Sequence, residues 1–197
     1  MKLLIFSGTP KKDGITHSFV EKAKETANVT GVEAEVLRLA GMNLEKCMMC
    51  GDGWGTCYDK HTCAFGEKDG FNEAMKKIKE ADAFIYITPV YWGGVSEEMR
   101  IFLDKLRRCQ ATKQWDADDD AKSFMAGKPS ILVAVAGGGG GGTVQTFEFL
   151  ERAITHMGGN ERPRDTAGVF DYIAVNRWNQ EYKRKAFEAA IKALVGN

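Results

Sequence analysis

The chain reads as a doubly wound α/β fold, and two observations carry that reading. Short, almost purely apolar runs recur along its 197 residues. Between them lie segments whose apolar positions follow the helical period. Continuously apolar strands alternating with helices imply a parallel sheet covered on both faces. A chain of this length fits one large domain, spanning residues 1–197, with enough surface to bury a substantial core.

The expected strands are residues 3–6, 34–39, 83–88 and 131–136, with a weaker fifth near 168–174. Phe71, Ala74, Met75 and Ile78 fall at i, i+3, i+4 and i+7. So do Met99, Phe102, Leu103 and Leu106, and again Phe187, Ala190, Ile191 and Leu194. A further helix near 144–157 has a stop signal in Gly158-Gly159. The polar stretch 113–128, within a region near 110–128, reads as a surface insertion before the fourth strand.

Charge excludes some classes. Twenty-seven basic residues balance twenty-seven acidic ones. The longest basic run is Lys183-Arg184-Lys185, so no basic stripe argues for nucleic acid. Leu3 to Phe6 is too short for a signal-peptide core, and no segment approaches the roughly 20 apolar residues of a membrane span. A cytoplasmic location is therefore expected, where clustered cysteines mean metal or redox chemistry more often than structural disulfides.

In such sheets ligands bind beyond the carboxyl ends of the strands. The loop after the first strand is Ser-Gly-Thr-Pro-Lys-Lys-Asp-Gly-Ile-Thr-His-Ser (7–18). Its small residues let backbone N–H groups turn to one point, and Thr16 or Ser18 is expected to open the next helix, a setting suited to phosphate. It is not a Walker loop: Gly8 and Gly14 are one residue too far apart, and Ile15 stands where the lysine would be. A plain strand-to-helix turn is the simpler alternative. After the third strand, Pro89-Val90-Tyr91-Trp92-Gly93-Gly94 makes a lip for a flat ring, although Tyr91 and Trp92 also suit a core or an interface. After the fourth, six glycines (137–142), beginning Gly137, Gly138 and Gly139, precede a helix. This is not the dinucleotide fingerprint, because Asp165 sits before the fifth strand and not at its end.

Taken together, these residues resemble the flavodoxin-like NADPH-dependent FMN reductases and, within them, the iron–sulfur flavoproteins. Their first loop, G-S-P-R-x-x-G-N-T, matches Gly8-Thr9-Pro10-Lys11-Lys12-Asp13-Gly14-Ile15-Thr16. Their P-V-Y-x-G lip matches Pro89 to Gly94, and their L/F-D-R helix motif matches Phe102-Leu103-Asp104-Lys105. The resemblance covers residues 1–160 and implies strand order 2-1-3-4-5. It also implies an FMN phosphate held by Ser7, Thr9, Lys11, Gly14, Ile15 and Thr16, and a flavin ring between the 89–94 lip and the 137–139 glycines. Thr9 keeps the family's hydroxyl, Lys11 keeps the charge without arginine's fork, and Ile15 leaves only a backbone N–H. No side chain is assigned as catalytic acid or base, because flavin chemistry does not need one.

The family's cysteine loop follows the second strand, and here residues 41–66 carry Cys47, Cys50, Cys57 and Cys63. The spacing C-x2-C-x6-C-x5-C matches the cluster-binding pattern except for a longer middle gap. A [4Fe–4S] cluster, a structural zinc and free or redox thiols all remain open. Cys109 reads as a core thiol. His61 is a weak alternative ligand, His17 either touches phosphate or faces solvent, and His156 complements a helix dipole.

Three function classes follow: an FMN-dependent oxidoreductase passing electrons from NAD(P)H to a small acceptor or free flavin, an electron-transfer module fed by ferredoxin, and a flavin or redox sensor. Net zero charge disfavours an acidic carrier, and no signalling module is attached. Family members are generally homodimers or homotetramers, and Trp92, Trp115 and Trp178 are aromatics available for such an interface.

Overall fold

The computed structural model describes residues 1–52, 55, 57–110, 123–158 and 169–196, apart from the Asp59 side chain. Five strands, β1 (Lys2–Ser7), β2 (Glu33–Arg38), β3 (Ala83–Pro89), β4 (Ser130–Val135) and β5 (Val169–Val175), pair in the order β2-β1-β3-β4-β5. Every pairing is parallel. This is the order the family resemblance implies.

The helices are α1 (Gly14–Val29), the one-turn α2 (Cys57–Lys60), α3 (Phe71–Glu80), α4 (Glu97–Gln110), α5 (Thr143–His156) and α6 (Gln180–Gly196). Alternation along the strands sorts the core into two layers. Leu4, Phe6, Phe84, Tyr86 and Leu132 pack on α3, α4 and α5. Leu3, Ile5, Ile85, Ile87, Ile131 and Val133 pack on α1 and α6. Phe6 anchors the first layer, with ring centroids 4.8 Å from Tyr86, 5.2 Å from Phe102 and 5.7 Å from Phe84.

The expected elements differ from the observed ones mainly at their ends. Leu39 leaves the sheet for a single 3-10 turn, Leu39–Gly41. Neither Thr16 nor Ser18 opens α1. Asp13 is extended at the N-cap position and Gly14 takes φ +86°, so the helix starts two residues before Thr16. The hydroxyl of Ser18 instead donates to the carbonyl of Ile15, 2.7 Å away. The helix α5 stops as expected, with Gly158 at φ +80°. Gly159, Asp165, Gly168, Trp115 and the insertion up to residue 122 lie outside the described residues. The end of that insertion turns inward, with Ser123 and Met125 buried.

Tyr86 is fully buried, and its hydroxyl has no hydrogen-bond partner among the described residues. Burial pushes that phenol far above its usual range. Because the unpartnered hydroxyl carries only a desolvation cost, Tyr86→Phe is expected to leave stability unchanged or raise it by about 1 kcal/mol. Urea denaturation of the two proteins measures this, and a loss of 1 kcal/mol or more contradicts it.

Candidate functional site

Because β1, β3 and β4 are neighbours, the loops that follow them meet at one edge. The amide of Gly8 donates to the carbonyl of Ile87 at 2.8 Å, tying the first loop to β3. A Cβ on Gly8 would lie 2.8 Å from Ser96 Oγ and 3.1 Å from Met99 Cβ, so only glycine lets the loop pass beneath the start of α4. Ser96 is held there by Thr88, whose Oγ1 accepts its amide at 3.0 Å.

The first loop then offers donors. Ser7 and Thr9 are buried, and Ser7 Oγ has no partner among the described residues. The amide of Lys11 donates to Thr9 Oγ1 (3.3 Å), and its carbonyl accepts from Arg38 (3.3 Å). The helix α1 has no side-chain cap and no acidic residue in its first turn, which contains Ile15 and Thr16. A helix start leaves amide hydrogens unmatched and carries partial positive charge. A buried hydroxyl with no partner among the described residues, at the strand end whose loop runs into an uncapped helix, fits an anion such as a phosphate. His17 is turned along the helix toward Glu21 (3.9 Å).

The lip is a two-residue hairpin. Tyr91 and Gly94 exchange two backbone hydrogen bonds of 2.9 Å. Trp92 and Gly93 both take positive φ, 53° and 75°, the geometry of a tight primed turn. Val90 joins it to the sheet, its amide donating to Val135 (2.9 Å). The rigid part of the lip is therefore backbone. Tyr91 is half exposed and Trp92 wholly so.

The glycine loop leans directly on this hairpin. A Cβ on Gly142 would fall 2.6 Å from Gly93 Cα and 3.0 Å from Val90 Cγ1. Gly137, Gly138 and Gly139 stand exposed above β4. The carbonyl of Gly138 accepts from Arg177 (3.2 Å), and a Cβ on Gly139 would meet the Trp178 ring at 3.4 Å. Trp178, one of the aromatics available for an interface, flanks the glycine loop in the fold. The loop after β5 is set by Asn176, whose Oδ1 accepts the amides of Trp178 (2.9 Å) and Asn179 (3.0 Å). The Asn-x-x-Asn spacing after a weak strand was the only signal for it.

The cysteines are spread over distinct environments. Cys57 is buried at the start of α2, in the core shared with α3 and α4. Cys63 is pinned by Asn72, whose Oδ1 accepts its amide (2.7 Å) and whose Nδ2 donates to its carbonyl (3.0 Å). Cys47 lines a groove with Lys46, Arg100 and Arg107. Cys50 is half-buried, and its carbonyl accepts the amide of Gly55 (2.7 Å). His61 is stacked on Phe124 at 4.1 Å, with Nδ1 3.0 Å from the Cys109 carbonyl. Cys109 is wholly buried, as expected of a core thiol. Among the described residues no three Cys, His, Asp or Glu side chains are grouped to hold a metal ion. As arranged here, the thiols do not fit a cluster.

What orders this loop is a buried ion pair absent from the sequence reading. Lys105 Nζ lies 2.5 Å from Asp69 Oδ2, with both side chains buried. The same Asp69 accepts the amides of Glu45 (2.9 Å) and Phe71 (3.1 Å). One carboxylate thus joins the cysteine loop, the start of α3 and the middle of α4. The motif that suggested Asp104 and Lys105 divides accordingly: Asp104 is a surface partner of Arg100 (3.1 Å), while Lys105 is a core cation.

Residues 1–167 match the family model of NADPH-dependent FMN reductases. The chain belongs to that family. Among curated proteins it is 35% identical over 107 residues to an iron-sulfur flavoprotein of Methanocaldococcus jannaschii, covering 54% of this chain and 52% of that one. Thus the match spans about half the relative's length. An iron-sulfur flavoprotein of Methanosarcina thermophila is 25% identical over 187 residues, covering 86% and 88% of the two chains. The NAD(P)H:quinone oxidoreductase structure from Methanothermobacter marburgensis superposes with a TM-score of 0.69 at 15% identity, covering 98% and 96%. That likeness shows the shared fold. No described helix is long and apolar enough to cross a membrane.

Two substitutions test the construction of the site. Gly142→Ala combines a positive φ (+85°) with a collision against backbone, so it should cost about 2 kcal/mol or more, whereas Gly137→Ala meets nothing within 4 Å and should be nearly neutral. Equal melting temperatures for the two variants would contradict the packing described. Separately, Lys105→Met strands the Asp69 carboxylate in the core and is expected to cost about 3–5 kcal/mol. Chemical denaturation reads this directly, and a loss below 1 kcal/mol would mean the pair does not hold the loop.

Proposed function

We propose that the carboxyl edge of the sheet binds FMN and that the protein is an oxidoreductase moving electrons from NAD(P)H to a small acceptor. The observation that carries this reading is the buried Ser7 Oγ, without a hydrogen-bond partner among the described residues, at the end of the strand whose loop leads into the uncapped start of α1. Ser7, Thr9, Thr16 and the backbone from Lys11 to Ile15 take the phosphate in this reading, with Lys11 and Lys12 adding charge. The hairpin Pro89–Gly94 borders the ring on one side, and the backbone of Gly137, Gly138 and Gly139 borders it on the other, with Trp178 closing the outer rim. When bound, FMN supplies a ring that accepts hydride and releases hydride or single electrons. The chain's own task is orientation: the backbone of these loops holds the ring's edge, and the aromatic lip limits access of water. No described side chain at this edge is needed as a general acid or base.

The iron–sulfur reading of Cys47, Cys50, Cys57 and Cys63 is supported by the relatives' names and by the spacing of the thiols. No three of these thiols are grouped among the described residues, so no electron path is drawn through a cluster. A ferredoxin donor depends on that reading, and a zinc site or thiols without metal compete with it. A homodimer or homotetramer with an aromatic interface is supported by the exposure of Trp92 and Trp178.

FMN is expected to bind one per chain and at least about a hundredfold more tightly than riboflavin, since two charge-assisted hydrogen bonds of about 1.5 kcal/mol each suffice for that ratio. Equal affinity for the two flavins, measured by fluorescence quenching, would sink the phosphate assignment. Anaerobic reconstitution with iron and sulfide, read by iron assay and visible absorption, separates about four irons per chain for a cubane from none.

A further inference from the structure

The loop after β5 holds an exposed aromatic side chain in a fixed place. Trp178 is 76% exposed. A single exposed indole is ordinary on a protein surface, but two features set this one apart. The first is its backbone. Asn176 Oδ1 accepts the amides of Trp178 (2.9 Å) and Asn179 (3.0 Å). In return Asn179 Oδ1 accepts the Asn176 amide (2.8 Å), and Asn179 Nδ2 donates to the Ala174 carbonyl (3.3 Å). Asparagine side chains bonded to nearby backbone in this way fix a turn.

The second is its neighbour. The Arg177 amide donates to the Gly138 carbonyl (3.2 Å), which ties the residue before Trp178 to the glycine loop. A Cβ on Gly139 would lie 3.4 Å from Trp178 Cζ3 and 3.9 Å from Cη2. The six-membered ring of the indole is therefore set against bare backbone, at the stretch that borders the ring in the proposed flavin site. The hairpin bearing Trp92 stands against the other end of the same loop, at Gly142. Contact with Gly139 leaves most of the Trp178 side chain in water, so core packing does not account for an indole here. An aromatic side chain held at the rim of a ligand site offers a partner to a second flat ring, and aromatic pairs attract beyond the area they bury. Trp178 also lies past residue 167, where the match to the family model ends.

We propose that Trp178 is a specificity-determining residue: its indole stacks on a flat aromatic electron acceptor at the flavin edge and favours such acceptors over non-planar ones. This rests on the flavin reading. Menadione takes two electrons and two protons from reduced FMN and becomes menadiol. Two ferricyanide ions take the two electrons instead, and the protons go to water. Only menadione presents a flat apolar ring, so only menadione gains from the indole.

The test compares wild type with Trp178→Phe, Trp178→Leu and Trp178→Ala, each saturated with FMN. FMN affinity and sedimentation are measured first, and the three variants should match wild type in both. Menadione binding to the oxidised protein is then read from the change it causes in the visible absorption of the flavin. Trp178→Ala and Trp178→Leu should weaken it about tenfold, the size of one aromatic contact, while Trp178→Phe keeps it within about threefold. Stopped-flow reoxidation of the dithionite-reduced proteins should show the same loss in half-saturating menadione, with the limiting rate kept and ferricyanide rates unchanged. Unaltered menadione binding in Trp178→Ala or Trp178→Leu, or an equal loss with ferricyanide, overturns the proposal and leaves the flavin reading standing. Weaker FMN binding in the variants would make Trp178 a flavin-holding residue, and altered sedimentation would place it in a subunit interface; either overturns the proposal. A wild type that binds no FMN overturns the flavin reading, and the proposal with it.

Discussion

The candidate site depends on how closely two stretches of bare backbone approach each other. Gly142, at the entry to α5, and Gly93, in the β3 hairpin, are so close that any Cβ on Gly142 would overlap Gly93 Cα. That contact sets the height of the glycine loop above β4 and holds the hairpin at its tilt. It also leaves the chain free to expose peptide groups where side chains would otherwise stand. The same economy operates at Gly8, where a side chain would strike Ser96 and Met99. Parallel pairing of β1, β3 and β4 brings these loops together, and glycine lets them touch.

A second constraint acts beneath the cysteine loop. Burying Lys105 and Asp69 has a large desolvation cost, which is offset only because the carboxylate is shared by an ammonium and two backbone amides. The Lys105 ammonium also lies 5.0 Å from the centroid of the Phe71 ring, so the cation is solvated by protein on several sides. The pair thereby ties Glu45, two residues before Cys47, to the start of α3 and to α4. The disposition of thiols around α4 follows from this clasp and from the Asn72 bonds to Cys63.

Helix α4 connects the two regions of interest. Its first turn, capped by Ser96 Oγ accepting the Met99 amide at 3.3 Å, supports the first loop. Its buried stripe carries Met99, Phe102, Leu106 and Cys109 into the core. Its outer stripe carries Arg100, Asp104 and Arg107, which line grooves on both sides, toward Cys47 and toward α5. One helix therefore supports the candidate edge, the cysteine loop and the groove beside α5, through faces separated by the helical period.

The sequence by itself determined the layers and the candidate edge. Apolar runs such as Ile131–Ala136 and the i, i+3, i+4, i+7 spacing of Met99 to Leu106 specify strand and helix because burial enforces those periods. The loops at 7–18, 89–94 and 137–142 were legible because glycine, proline and small hydroxyl residues at strand ends carry a local conformational meaning. Only the tertiary structure decided what meets what. Asp69 and Lys105 are 36 residues apart, and nothing local in either residue marks it as buried. Trp178 became a neighbour of Gly139 only when β5 took its place beside β4. The cysteine spacing allowed one shared site, but Cys57 was drawn into the core and Cys63 was bound by Asn72 of α3. Local pattern fixes backbone periodicity, whereas charge pairing and thiol proximity are non-local quantities that exist only once the chain has closed on itself.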